Sequence, residues 1–293
     1  MDKINSFKFY NEFHGHKISD LNILLKQLKK QNPDRKIIYL GGDSSLDNKY
    51  WMKDDEIAKA INGYQHILEP PEMKRDVAYH MNKLLDGKKN YCVINTAIEE
   101  STIANRYNNL MDQDKFIRQN ITNEDILIVS IGGNDIALSP SFYTIWNMFL
   151  MMYMNTVSTI NQGPTATWGM NYFINLFKNE VKKFVLKLIG NKRPKKIIIC
   201  MIYYPDEKST GGWADRTLGL LGYNRNPEKL QAAIRSIFKY ATSEIKITGS
   251  VVVPLPMFEI LDGKNSLDYV ERVEPSDLGG SKLAKKFVDC CLD

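Results

Sequence analysis

At 293 residues the chain is long enough to bury a substantial core as one large domain. Hydrophobic residues make up 43% and charged residues 25%, with 18 Gly and 11 Pro, which excludes collagen-like, low-complexity and wholly disordered classes. Lys and Arg exceed Asp and Glu by only five charges. The densest basic cluster, Lys192, Arg193, Lys195 and Lys196, precedes an apolar run and reads as a solvated connection, so no nucleic-acid partner is expected.

Taken in chain order, helical spacing covers Ile18 to Lys30 and an apolar, β-branched run follows at Lys36 to Leu40. A helix is predicted over Arg75 to Leu85, then strands at Tyr91 to Asn95 and Ile126 to Ile131. Further helices are predicted over Glu180 to Ile189, Glu228 to Ile245 and Gly280 to Cys291, and further strands at Lys196 to Tyr203 and Ser250 to Leu255. Continuous rather than alternating apolar strands are those covered on both faces, so the chain is read as one domain over 1–293, a three-layer α/β/α sandwich with a five-stranded, mainly parallel sheet.

From Ile136 to Phe177 there is no Asp, Glu, Lys, Arg or His, while Met and aromatic residues are dense. Thr144, Asn147, Asn155, Thr156 and Ser158 interrupt the run, which falls short of the about 18 apolar residues a membrane span needs. Three readings stay open: an insertion that covers the site as an apolar lid or acyl-chain wall, a buried helix pair with no ligand contact, and a surface for peripheral membrane, lipid or partner contact.

The four cysteines have no metal-site spacing, and Cys290 and Cys291 are adjacent, which suits a reducing compartment. Met1 to Lys17 has no apolar core of the secretory kind, so a cytoplasmic location is expected. No phosphate loop or metal-ligand cluster occurs, and no cofactor or metal is expected.

In open α/β sheets, functional groups gather beyond the carboxyl ends of strands. The first strand ends in Gly41-Gly42-Asp43-Ser44-Ser45-Leu46, the second in Asn95-Thr96-Ala97 and the third in Gly132-Gly133-Asn134-Asp135. Ser44 can be a nucleophile, or an ordinary turn and cap residue, and Asp47 and Asn48 are equally good cap candidates. Asn134 can offer an amide to a developing oxyanion, alongside the N–H groups of Ala97 and Ser44. Asp43, Asp135 and Tyr204 are expected around the pocket; Tyr203-Tyr204-Pro205-Asp206 otherwise reads as a plain turn, and Trp213 in its Gly-rich loop reads as a flap.

Gly42-Asp43-Ser44, Asn95-Thr96-Ala97 and Gly133-Asn134-Asp135, in that order and at those strand ends, resemble the first three blocks of the SGNH (GDSL) hydrolases, a family of esterases, lipases and deacetylases with a flavodoxin-like fold. The resemblance implies Ser44 as nucleophile and an oxyanion hole from the N–H groups of Ser44 and Ala97 with the Asn134 side chain. Ala97 stands where the family usually has Gly. The family's last block places Asp and His three residues apart, before Pro and the final helix. Here Glu271-Arg272-Val273-Glu274-Pro275-Ser276 puts Glu271 at the Asp position and Glu274 at the His position. The Gly42 to Trp51 start combined with a Glu-Pro-Ser end is similar to a subgroup of SGNH-like proteins.

His14, His16, His66 and His80 are the only histidines, and none is near that block. The base is then Glu274, raised toward neutrality by a nearby carboxylate such as Glu271, or a recruited His80 or His66; His14 and His16 read as exposed. Alternatively Glu274 caps the last helix or pairs with Arg272 or Lys282. The expected function is a serine hydrolase cleaving a small-molecule or acylated carboxylic ester through a Ser44 acyl-enzyme. The alternative is a catalytically inactive relative that binds an acylated or hydrophobic ligand in the same pocket.

Overall fold

The computed structural model describes residues 3–53, 55–87 and 90–293. Its centre is a five-stranded, all-parallel sheet of β1 (Lys36–Gly42), β2 (Tyr91–Asn95), β3 (Ile126–Ser130), β4 (Lys196–Met201) and β5 (Val251–Pro256), in the order β2-β1-β3-β4-β5. That is the doubly wound flavodoxin-type order, with a switch point between β1 and β3. The expected three-layer architecture and strand positions hold, and the parallel sheet has no antiparallel member.

Period-two alternation explains why the strands read as unbroken apolar runs. Ile37, Tyr39, Leu127, Val129, Ile197 and Ile199 belong to one core cluster, while Ile38, Leu40, Ile126, Ile128, Ile198 and Cys200 belong to the other. The first face is covered by α1 (Ile18–Gln31), α3 (Asp112–Asn120), α8 (Val181–Ile189) and α10 (Pro227–Tyr240), through Leu21, Phe116, Val185 and Ile234 among others. The second face is covered by α2 (Val77–Leu85) and α11 (Asp277–Leu292), through Met81, Leu85, Leu283 and Phe287.

Boundaries follow local chemistry. Helix α2 starts later than predicted because Asp76 caps it, its carboxylate accepting from the Tyr79 N–H at 2.7 Å. Helix α11 starts earlier because the Ser276 hydroxyl accepts from the Gly279 N–H at 3.1 Å. The predicted helix to Ile245 stops at Tyr240, since Ala241 leaves helical geometry (φ −123°, ψ −78°) and a separate short turn follows.

The uncharged segment folds as α4 (Gly133–Ala137), α5 (Phe142–Tyr153), α6 (Val157–Gln162) and α7 (Met170–Ile174), and no described helix is long and apolar enough to cross a membrane. Helix α5 has two faces. Met148, Met151 and Met152 are buried, whereas Phe142, Tyr143, Trp146, Phe149 and Tyr153 are exposed. The short helix α9 (Ala214–Leu220) follows the Trp213 loop.

Where β1 ends, its closeness to β3 leaves no room for a side chain. Gly42 has φ +129°, and a Cβ there would lie 1.8 Å from the Ser130 carbonyl oxygen. The Gly42→Ala variant therefore must displace backbone directly before Ser44, with an expected stability loss of about 2 kcal/mol or more in urea unfolding; an unchanged midpoint would show that this turn is not tight.

Candidate active site

Ser44 sits in the turn after β1. Asp43 builds that turn: its N–H donates to the Ser130 carbonyl at 3.0 Å, and its Oδ1 accepts from the Ser45 N–H and hydroxyl at 3.1 and 2.6 Å. The Ser44 hydroxyl donates to Glu274 Oε1 at 3.1 Å, across 230 residues of sequence. Both side chains are buried, and Glu274 Oε2 has no hydrogen-bond partner among the described residues.

Two devices aim Glu274. The first is a two-rung antiparallel ladder, Tyr269 with Pro275 and Val270 with Glu274, closed by two left-handed residues, Glu271 (φ 52°) and Arg272 (φ 70°). Such backbone persists in non-glycine residues only where the surroundings enforce it. Arg272, fully buried, does so: Nε and Nη2 donate to the Asp206 carbonyl at 3.0 and 2.8 Å, and Nη1 donates to Asn224 Oδ1 at 2.8 Å and Asp215 Oδ1 at 2.5 Å. The second device is Asn48, also fully buried. Its amide donates to the Pro275 carbonyl at 2.9 Å and accepts from the Val77 N–H at 3.0 Å, tying the Ser44 loop to the Glu274 strand and to α2.

Asp47 is not a cap either. It pairs with Lys49, which also pairs with Glu99, each at 2.5 Å and all fully buried. The second Glu99 oxygen accepts from the Gly15 N–H at 2.6 Å, which pins the N-terminal segment behind the site.

Burial pushes the Glu274 carboxyl up to about 8, with Asp43, Glu99 and Glu100 adding negative field and the Ser44 hydrogen bond opposing them. Burial likewise pushes Asp43 up to about 6, against its hydrogen bonds from Ser45. Glu271 is not the neighbour that raises Glu274. Its carboxylate lies against Gly212, where a Cβ would sit 1.8 Å from Oε2, because the left-handed turn swings it away from the site.

Ser44, Glu274, Asp43 and Asn134 line one cavity, with about 1090 Å³ of empty space, part of it open to solvent. Asn134 spends one amide proton on the Ser101 carbonyl at 3.1 Å and keeps another. The Ser44 N–H has no partner among the described residues. Ala97 differs from the expectation: its N–H donates to Asn95 Oδ1 at 3.1 Å, and the residue is fully buried outside the cavity. Asp135 faces away too, accepting from the Ile103 and Ala104 N–H groups at 2.8 and 3.1 Å. Tyr204 stacks on Phe258 and accepts from Arg235 at 3.1 Å; Tyr203 takes the lining position, its hydroxyl donating to the Val273 carbonyl at 2.5 Å.

No histidine lines the cavity. His80 meets Asp277 at 2.7 Å, His66 is exposed in a short turn, and His16, read from sequence as exposed, is buried and stacked on Phe9. The structural roles open to Glu274 are filled by others: Ser276 caps α11, and Lys282 pairs with Asp268. Trp213 reaches the cavity rim, and Met148, Met151, Met152, Phe173 and Phe177 of the uncharged segment form its wall. The described residues contain no cluster of His, Cys, Asp or Glu able to hold a metal.

A buried carboxyl with a raised pKa stabilises the fold while neutral. Its contribution is complete below the usual glutamate range and is lost as pH rises through about 8. The Glu274→Gln variant keeps the shape and never ionises, so its melting temperature relative to the parent chain is expected to rise from pH 5 to about pH 8 and to level off above that. A difference independent of pH would mean that Glu274 is not buried as described.

No family model and no curated protein matches the chain. Among solved structures it is similar to a carbohydrate acetylesterase from Sinorhizobium meliloti (12% identity, 88% of this chain and 98% of that one, TM-score 0.45). It is also similar to an acetylxylan esterase from Geobacillus stearothermophilus (16%, 87% and 93%, TM-score 0.47) and to an extracellular lipase from Streptomyces rimosus (10%, 87% and 99%, TM-score 0.42).

Proposed function

We propose that the protein is a serine ester hydrolase of the SGNH type in which Ser44 is the nucleophile and Glu274, in place of histidine, is the general base. The observation that carries this reading is the direct contact of 3.1 Å between the Ser44 hydroxyl and Glu274 Oε1 at the polar end of an otherwise apolar cavity. That distance lies within the hydrogen-bond reach a general base needs.

Ionised Glu274 takes the hydroxyl proton as Ser44 Oγ bonds to the ester carbonyl carbon, and the carbonyl π electrons move onto oxygen. The resulting oxyanion is held by the Ser44 N–H and the free Asn134 amide proton; each such donor is worth ~10²–10³ in rate. The carbon–oxygen bond to the alcohol then breaks, and the neutral Glu274 returns its proton to the leaving oxygen. Water repeats the sequence with Glu274 as base, releasing the carboxylic acid and restoring Ser44. A carboxyl with a pKa of about 8 takes a hydroxyl proton more readily than one at its ordinary value, at the cost of being largely neutral below that pH.

That cost favours the second reading, a binding protein without turnover, because most molecules carry a protonated Glu274 at pH 7. A fluorophosphonate probe separates the two. Catalysis predicts a single adduct on Ser44, none in Ser44→Ala, and a labelling rate that rises with pH to a plateau above about 8. The Glu274→Gln variant is expected to label ~10²–10⁴-fold more slowly. No adduct between pH 6 and pH 10, with retained binding of an uncleaved ester, would establish the binding protein instead.

A further inference from the structure

We propose that the cavity is an acyl-chain channel and that its preferred substrate is a neutral ester of a medium-length, unbranched fatty acyl group rather than of acetate, with Ala233 keeping the channel open. The inference rests on the catalytic reading of Ser44 for turnover, though not for binding.

Leu230, Ala233, Ile234 and Ile237 all line the cavity. Their spacing of three, four and seven residues puts them in one stripe along α10, and a seven-residue stretch of helix is about 10 Å long. The same cavity is lined by Met151 and Met152 of α5 with Phe173 and Phe177. Ile234, Ile237, Met151, Met152, Phe173 and Phe177 are each at most 3% exposed, so this part of the lining is apolar and shut off from bulk solvent. Methionine walls adapt to a flexible chain.

An acetyl group fills only the end beside Ser44 and leaves the rest of the channel empty and dry, as apolar cavities are. A longer chain buries methylenes along the α10 stripe, each worth roughly fourfold in affinity when fully buried. Charge sets the other side of the preference. Only Asp43 and Glu274 among the lining residues can be ionised near neutral pH, and both are acidic, so a phosphate-bearing or carboxylate-bearing leaving group meets no cation in the lining. Within the stripe Ala233 is the one small side chain; it is fully buried yet borders the cavity, so a larger side chain there takes up cavity space.

The test compares uncharged p-nitrophenyl acetate, butyrate, octanoate and dodecanoate as substrates. The parent chain is expected to show a kcat/KM for octanoate at least ~100-fold above that for acetate, allowing for incomplete burial of each methylene. In Ala233→Phe, and more mildly in Ala233→Leu should the larger variant fail to fold, that ratio is expected to fall at least ~10-fold. Binding to Ser44→Ala, read by calorimetry, reports the channel without turnover: octanoate ester is expected to bind more tightly than acetate ester, and adding Ala233→Leu is expected to remove the difference. Hydrolysis that favours acetate, or a ratio that ignores Ala233, overturns the channel and leaves the catalytic reading standing. Tight, Ala233-dependent octanoate binding with no hydrolysis overturns the catalytic reading and leaves the channel.

Discussion

A carboxyl group buried without full hydrogen bonding is the constraint around which the rest of this structure is arranged. Glu274 has one oxygen against Ser44 and the other unpartnered among the described residues, a placement that water would relieve at once. Holding it there requires a turn with two left-handed residues, and that turn is held in turn by the guanidinium of Arg272. Asn48 adds a cross-tie between the first and last blocks of the site. The consequence is chemical: desolvation makes a weak base stronger, which is what the proposed role of Glu274 as general base requires.

The architecture was largely legible because each strand buried on both faces contains an uninterrupted apolar run of four or five residues. Helix α3 was missed for the opposite reason. Its sequence Asp112–Asn120 is mostly polar and buries only Asp114, Phe116 and Ile117, so no apolar stripe announces it. The helix expected to reach Ile245 ran too far because nothing in its periodicity marks the change of backbone at Ala241.

The site divides along a similar line. Ser44 and Asn134 were singled out from their positions at strand ends and Glu274 from the resemblance of its block to the SGNH pattern, and the three line one cavity. Ala97, Asp135, Tyr204 and Glu271 were placed by analogy of position, and the outcome depended on partners that position does not reveal. The Ala97 N–H is occupied by its neighbour Asn95, and Tyr203 rather than Tyr204 faces inward. Asn48 was read as a cap and Arg272 as a partner for Glu274, and both took other roles because their actual partners lie tens to hundreds of residues away. The uncharged segment was legible as a departure in composition. Its folding supplies an apolar wall on its buried face and leaves a row of aromatic rings on the other.

The most direct test is an infrared titration of the Glu274 carboxyl, assigned by difference from Glu274→Gln. With Glu274 as a buried base, a protonated carboxyl is expected at pH 6 and pH 7, ionising near pH 8 in step with Ser44 reactivity. A carboxylate already ionised at pH 6 would contradict that role, because the burial that is held to make Glu274 a usable base would then be absent.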